Sequence, residues 1–235
     1  MSRPLFRPRA VLLVLALLVT LLAGCGSSSS SGNGVASKTP IEIMTAAKAA
    51  ANSAATAHVS GSIVDGGKPI SLDLEFESGK GGKGTIKLGN LTIMTIQING
   101  TVYIKGSEAF YRELAGAKAA VALRGKWLKA PASDGNFSSL ASLTDLDKLI
   151  DATLEAHGSL SSAGSTTIDG QRAVGVTDKA KGGTLYVATT GAPYPVEIVK
   201  AGGAAGKVVF GGWNKPVTLS APTDTINIKQ LQSGR

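Results

Sequence analysis

Polar and apolar positions alternate along much of this chain. Ile70, Leu72, Leu74 and Phe76 are interleaved with Ser71, Asp73, Glu75 and Glu77, the period-two pattern of a strand with one buried face. Val59, Gly61 and Ile63 alternate with Ser60 and Ser62 just before it, and Ile86 and Leu88 continue the pattern just after. A strand over 91–98 reaches Asn99-Gly100 and returns through 101–105; this dipeptide is a strong two-residue hairpin signal, because both of its residues tolerate positive φ. In that hairpin Met94, Ile96 and Ile98 share a face with Tyr103, whereas Ile93 shares the other with Val102 and Ile104. Alternation leaves open which face is buried. In the last third, 166–168 turns at Asp169-Gly170 into 173–177, and segments 184–188, 195–200, 207–213 and 217–220 follow with short turns.

Three stretches carry the helical pattern instead. Thr39-Pro40-Ile41-Glu42 supplies an N-cap, a proline where the helix needs no N–H, and a capping-box glutamate. Order is predicted from Thr39, with a helix over 40–55 whose inner face is mostly alanine. Residues 107–123 have helical composition, and 140–157 place apolar residues at helical spacing between a Thr144/Asp147 start and a stop at Gly158. A short strand over 125–129, ended by Pro131, lies between them. About ten strands joined mostly by hairpins, with about three helices, predict an α+β protein: a single curved antiparallel sheet with helices on one face. An alanine-faced helix on such a sheet leaves two outcomes, flush packing or an unfilled apolar cavity.

The N-terminus follows different rules. Arg3, Arg7 and Arg9 precede an apolar run over 10–23, interrupted only by Thr20. That run is too short for the roughly 20 residues of a membrane-spanning helix and suits the core of a signal peptide. It ends in Leu22-Ala23-Gly24-Cys25, which resembles the lipobox of bacterial lipoproteins. The resemblance implies a signal peptide over 1–24 and a diacylglycerol thioether on Cys25, which becomes the new N-terminus. Residues 25–38 then form a Ser/Gly-rich tether and 39–235 a single domain. Acyl chains on Cys25 would hold the protein on the extracytoplasmic face of the cell membrane.

Composition narrows the chemistry. The chain has 235 residues, of which 43% are hydrophobic and 17% charged, so the bulk is globular rather than disordered. One Cys excludes an internal disulfide, and two distant His leave little material for a zinc centre. Removal of 1–24 takes three arginines and lowers the formal charge from +8 to +5, too small and scattered a surplus for a nucleic-acid groove. The string Gly79-Lys80-Gly81-Gly82-Lys83-Gly84 matches G-x-G-x-x-G, but a strand follows where phosphate binding needs a helix N-terminus. His58 and His157 read as structural or surface residues, and Asp147, Asp151 and Glu155 as one solvated helix face. No nucleophile-base arrangement stands out, so neither an enzyme nor a cofactor site is expected.

Several segments together resemble the actinobacterial lipoprotein family that includes LppX, LprA, LprF and LprG, with a fold similar to the LolA and LolB carriers. They are the lipobox and tether, Thr56-Ala57-His58-Val59, Gly84-Thr85-Ile86-Lys87-Leu88, Asn99-Gly100-Thr101-Val102-Tyr103-Ile104, Gly125-Lys126-Trp127, Ile168-Asp169-Gly170, Tyr194-Pro195-Val196-Glu197-Ile198, and the run Phe210-Gly211-Gly212-Trp213-Asn214-Lys215-Pro216-Val217 leading to Ala221-Pro222. The resemblance implies a half-barrel wrapped over helices, with an apolar space that binds an acylated lipid or glycolipid for transfer within the cell envelope. An envelope transporter is the implied protein partner. Carried onto this sequence, it places Ile86 and Leu88 toward the cavity, joined by Leu72, Leu74 and Phe76. Met94, Ile96, Val102 and Ile104 are further candidates whose facing the pattern does not fix. The alternative is an anchored, non-catalytic scaffold or protein-interaction module.

Overall fold

A computed structural model describes residues 32–155, 158–180, 182–201 and 205–233. The segment read as a signal peptide, Cys25 and His157 lie outside them. Fixed contacts precede Thr39, the predicted start of order. The Asn33 N–H donates to the Thr189 carbonyl at 2.8 Å, and its side-chain amide donates to the carbonyls of Ala188 and Gly191 at 2.9 and 3.0 Å. Val35, in a single 3-10 turn (Val35–Ser37), is buried in the core. One asparagine and one valine thus dock a stretch whose Ser/Gly composition reads as free tether.

Helix α1 (Pro40–Asn52) begins as its capping residues demand: the Thr39 N–H and hydroxyl both donate to the Glu42 carboxylate, at 2.9 and 2.6 Å. These hydrogen bonds, the hydroxyl's first, hold the Glu42 carboxyl below its usual range.

The sheet is built from two wings that meet at its centre. Strands β1 (Thr56–Asp65), β2 (Lys68–Glu77), β3 (Gly81–Leu88), β4 (Leu91–Ile98), β5 (Thr101–Gly106) and β6 (Trp127–Pro131) step outward as antiparallel neighbours. Strands β7 (Leu160–Ile168), β8 (Gln171–Asp178), β9 (Gly183–Ala188), β10 (Pro195–Lys200) and β11 (Gly206–Gly211) start at the opposite edge and step back, until β11 pairs with β1. A short β12 (Thr225–Asn227) joins β6 in parallel and is followed by α5 (Ile228–Ser233). The sheet is a single, unclosed, curved one of twelve strands, where about ten were expected. The predicted strand at 217–220 takes no place in it. Both hairpin dipeptides act as predicted, with φ of 47° and 79° at Asn99-Gly100 and 47° and 82° at Asp169-Gly170.

A twelve-stranded open sheet must curl, and glycines bend this one. At Gly61 on β1, φ is 153°, and a Cβ would strike the Lys207 carbonyl on β11; at Gly84 on β3, φ is 154°, and it would strike the Asp73 carbonyl on β2. Only glycine lets the strands pass so closely while the sheet turns inward.

Helices fill the resulting trough. Helix α2 (Glu108–Ala122) links β5 to β6 and breaks at Gly116, where φ is 86°. Helices α3 (Ser138–Leu143) and α4 (Leu146–Thr153) belong to the connection from β6 at one side of the sheet to β7 at the far edge, which carries them across the concave face. The helix predicted over 140–157 is therefore two. Thr144 ends the first, its hydroxyl 2.8 Å from the Leu140 carbonyl and 2.9 Å from the Gln97 amide oxygen. Asp145 caps the second, its Oδ1 accepting the Lys148 N–H at 3.1 Å.

Candidate functional site

Strand register places the inner-face side chains of the central strands in transverse rows. The deepest row is Leu74, Val59 and Phe210. Above it lie Leu72, Gly61, Val208, Ile198, Leu185 and Val176, running from β2 through β1, β11, β10 and β9 to β8. A third row, at the strand ends, is Ile63, Gly206, Lys200, Gly183 and Asp178. These rows leave a cavity of about 410 Å³ between the sheet, Met44 of α1, and Leu149, Ala152, Thr153 and Leu154 on and after α4. That volume is in the range of roughly 300–1,000 Å³ typical of small-ligand sites. The lining is apolar apart from Thr153 on α4, Lys200 and Asp178 at the strand ends, and Glu155 just after α4.

The void is not where an alanine-faced helix alone would leave one. Ala47 and Ala51 are fully buried, because their small side chains let α1 settle directly onto the sheet. The cavity opens beside that contact, under a two-turn α4 that buries Leu146 and Ile150 and offers only Leu149 and small residues toward the gap. The two helices are tied together: Lys48 pairs with Asp151 at 3.0 Å, and the Asn52 amide reaches the same carboxylate at 3.3 Å. The Lys48 hydrogen bond, then that of Asn52, holds the Asp151 carboxyl below its usual range.

The opposite strand ends carry a set of ring and hydrogen-bond contacts. Trp213 stacks on Tyr194 at 4.7 Å and 8°, and its indole N–H donates to the Pro195 carbonyl at 3.3 Å. The Asn214 amide donates to the Tyr194 hydroxyl at 2.9 Å, while its oxygen accepts the Ala55 N–H at 2.8 Å. The Thr56 hydroxyl donates to the Lys215 carbonyl at 2.6 Å. These contacts explain why the Trp-Asn-Lys run stands out in the sequence: it clasps the chain between α1 and β1.

The sequence-derived residues divide among several environments. Leu72 lines the cavity. Leu74, Phe76 and Ile86 are buried in the core beneath and beside it. Leu88 shares the face of Ile86 but lies at the strand end, 37% exposed, two strands away from Ile63. Register settles the ambiguous hairpin: Ile86 pairs with Ile93, and Thr95 with Ile104. Val102 and Ile104 are therefore inside, in a separate cluster with Phe137 and Ala141. Met94 and Ile96 are on the convex side and do not face the cavity; Met94 is 44% exposed, and both line a shallow hollow with Trp127. Most of the cavity wall comes from Val59, Ile63, Val176, Leu185, Ile198, Val208 and Phe210; Val59, Ile198 and Phe210 stand in segments that carry the resemblance, but none of the seven is among the cavity residues it implies. Their alternation was visible, but their convergence depends on the pairing of β1 with β11.

The histidine and glycine motifs keep structural roles. His58 Nε2 meets Asp73 Oδ1 at 2.7 Å on an exposed surface. Gly79 stands in the β2–β3 turn, and Gly81, Gly82 and Gly84 belong to β3. Among the described residues no group of three His, Cys, Asp or Glu is placed to hold a metal, and no helix is long and apolar enough to cross a membrane.

An unclosed half-barrel wrapped over helices, with an apolar cavity in one half of its trough, defines an α+β architecture of the LolA-like type. It is the fold of the LppX and LprF lipoproteins. LprF from Mycobacterium bovis superposes with a TM-score of 0.53 at 18% identity, covering 78% of this chain and 97% of that one. The Mycobacterium tuberculosis lipoprotein LppX superposes with a TM-score of 0.50 at 15% identity, covering 77% and 98%. No protein-family model and no curated protein sequence matches the chain.

Proposed function

We propose that this protein is a lipoprotein, held on the extracytoplasmic face of the cell membrane through diacylglycerol on Cys25, that takes an acyl chain of a lipid or glycolipid into its cavity. It carries that ligand within the cell envelope, handing it to or from a membrane or an envelope transporter. The observation that carries this reading is the apolar cavity of about 410 Å³ with charged residues only at its rim. Burial of hydrocarbon there supplies most of the affinity, at roughly 25 cal/mol per Å² removed from water. The shared fold and the lipobox-like Cys25 support it. The reading requires no cofactor and no catalytic step.

The test uses full chain carrying Cys25→Ser, which cannot be acylated. Organic extraction of the purified protein, followed by mass spectrometry, is expected to release co-purified lipid, and the emptied protein to take up a fluorescent fatty acyl probe. Protein that is always empty and never takes up probe would sink the proposal. The convex hollow beside Met94, Ile96 and Trp127 favours a second reading, an anchored scaffold that binds an envelope protein; that reading gains if uptake fails.

A further inference from the structure

The rim of the cavity carries one cation in an unusual setting. Lys200 is the last residue of β10, on the concave face, half-buried, in the same transverse row as Gly183 on one side and Gly206 on the other. Both neighbours lack side chains, so nothing from the adjacent strands fences the lysine off. Its aliphatic stem lies along β9: a Cβ placed on Gly183 would be 3.3 Å from Lys200 Cγ and 3.5 Å from Cε. The methylenes continue the apolar wall formed one row deeper by Ile198 and Leu185, and only the ammonium ends it.

The other charges at the rim are already engaged. Asp178 accepts the Ala180 N–H at 2.9 Å, and both it and Glu155 have further partners. Asp178 is also two strands from Lys200 in the row, about 10 Å at roughly 4.8 Å per strand. Lys200 has no ion pair among the described residues, in contrast to Lys48, Lys80, Lys83, Lys126, Lys148 and Lys207. An ammonium without an ion-pair partner among the described residues, ending a half-buried side chain at the mouth of an apolar cavity, is a site for an anion that arrives attached to hydrocarbon.

Resting on the cavity reading above, we infer that the preferred ligand is an acyl lipid with a negative charge close to the end of its chain, a carboxylate or a phosphate, and that Lys200 binds that charge while the chain fills the cavity. Orientation follows from the same geometry. The acyl tail points toward Val59 and Phe210, and the head group stays at the strand ends.

The experiment is displacement of a neutral fluorescent acyl ester from the Cys25→Ser chain by three competitors with one acyl chain in common: oleate, 1-oleoyl-lysophosphatidate and 1-oleoylglycerol. At least one anion is expected to compete about tenfold better than the neutral glyceride, the strength of a hydrogen bond to a charged group. Lys200→Gln is expected to erase that advantage, bringing the anions level with 1-oleoylglycerol in a protein that melts near the parent's temperature, and Lys200→Arg to retain it. An advantage for oleate alone identifies the carboxylate as the ligand's charge, and one for lysophosphatidate alone the phosphate. Equal competition by all three in the parent, or an advantage that survives Lys200→Gln, overturns the inference while the cavity reading stands. A neutral ester that never binds overturns both.

Discussion

The two halves of the trough are walled by the same kind of strand yet end differently. Over β4, β5 and β6 the interior is solid. Tyr111 of α2 is fully buried, its hydroxyl accepting the Gly106 N–H at 2.9 Å and donating to the Lys126 carbonyl at 3.2 Å, and burial pushes its phenol pKa up. Phe110 packs edge-on against it at 5.5 Å, and Phe137 and Leu140 fill the space over Val102 and Ile104. Over β1 and β8 to β11 the covering elements offer Met44, Leu149, Ala152, Thr153 and Leu154 toward the gap, and a cavity remains. Curvature alone does not make a binding site. The difference is the side-chain volume that the crossing helices bring to each half.

The largest expected effect comes from hollowing the solid half. Phe137→Ala should cost about 3–5 kcal/mol in denaturant unfolding, as for other buried aromatic truncations. A loss well under that range would mean that this half is as loosely filled as the other.

Filling the hollow half should act differently. Ile198→Trp puts bulk into existing space, so acyl-probe uptake should be lost while the melting temperature stays near that of the parent. Ile86→Trp puts the same bulk into packed core and should cost about 1–3 kcal/mol through overpacking, whatever it does to uptake. Equal destabilisation by the two substitutions would erase the distinction between the cavity wall and the packed core beside it.

The smallest effect concerns the tie across the hollow half. Because the Asp151 carboxyl is held below its usual range by Lys48, its pairing adds stability above the ordinary carboxylate pKa, and that contribution disappears as pH falls through the depressed value. Asp151→Asn should therefore lower the melting temperature slightly at neutral pH and not at all in strong acid, with the gap narrowing at high salt, since the pair is exposed. A gap that grows on acidification would contradict the linkage.

Local chemistry determined much of this protein without help from the fold. The strand at 70–77, the two glycine turns, the Thr39/Glu42 cap and the apolar run ending at Cys25 each depend on neighbours within a few residues, and they read directly from the chain. β7 was harder, because Leu160-Ser-Ser-Ala-Gly-Ser-Thr-Thr-Ile is an edge strand with too few apolar positions to show its period from the start. Tertiary structure alone decided the rest. That β1 lies beside β11, about 150 residues apart by register, is what assembles Ile63, Ile198, Val208 and Lys200 around one cavity. The facing of Met94 and Ile96 likewise awaited the pairing of Ile86 with Ile93, and the docking of Asn33 awaited Ala188 and Gly191. Alternation tells which residues share a face, but which face turns inward, and whether the space above it is filled, are set by partners distant in sequence.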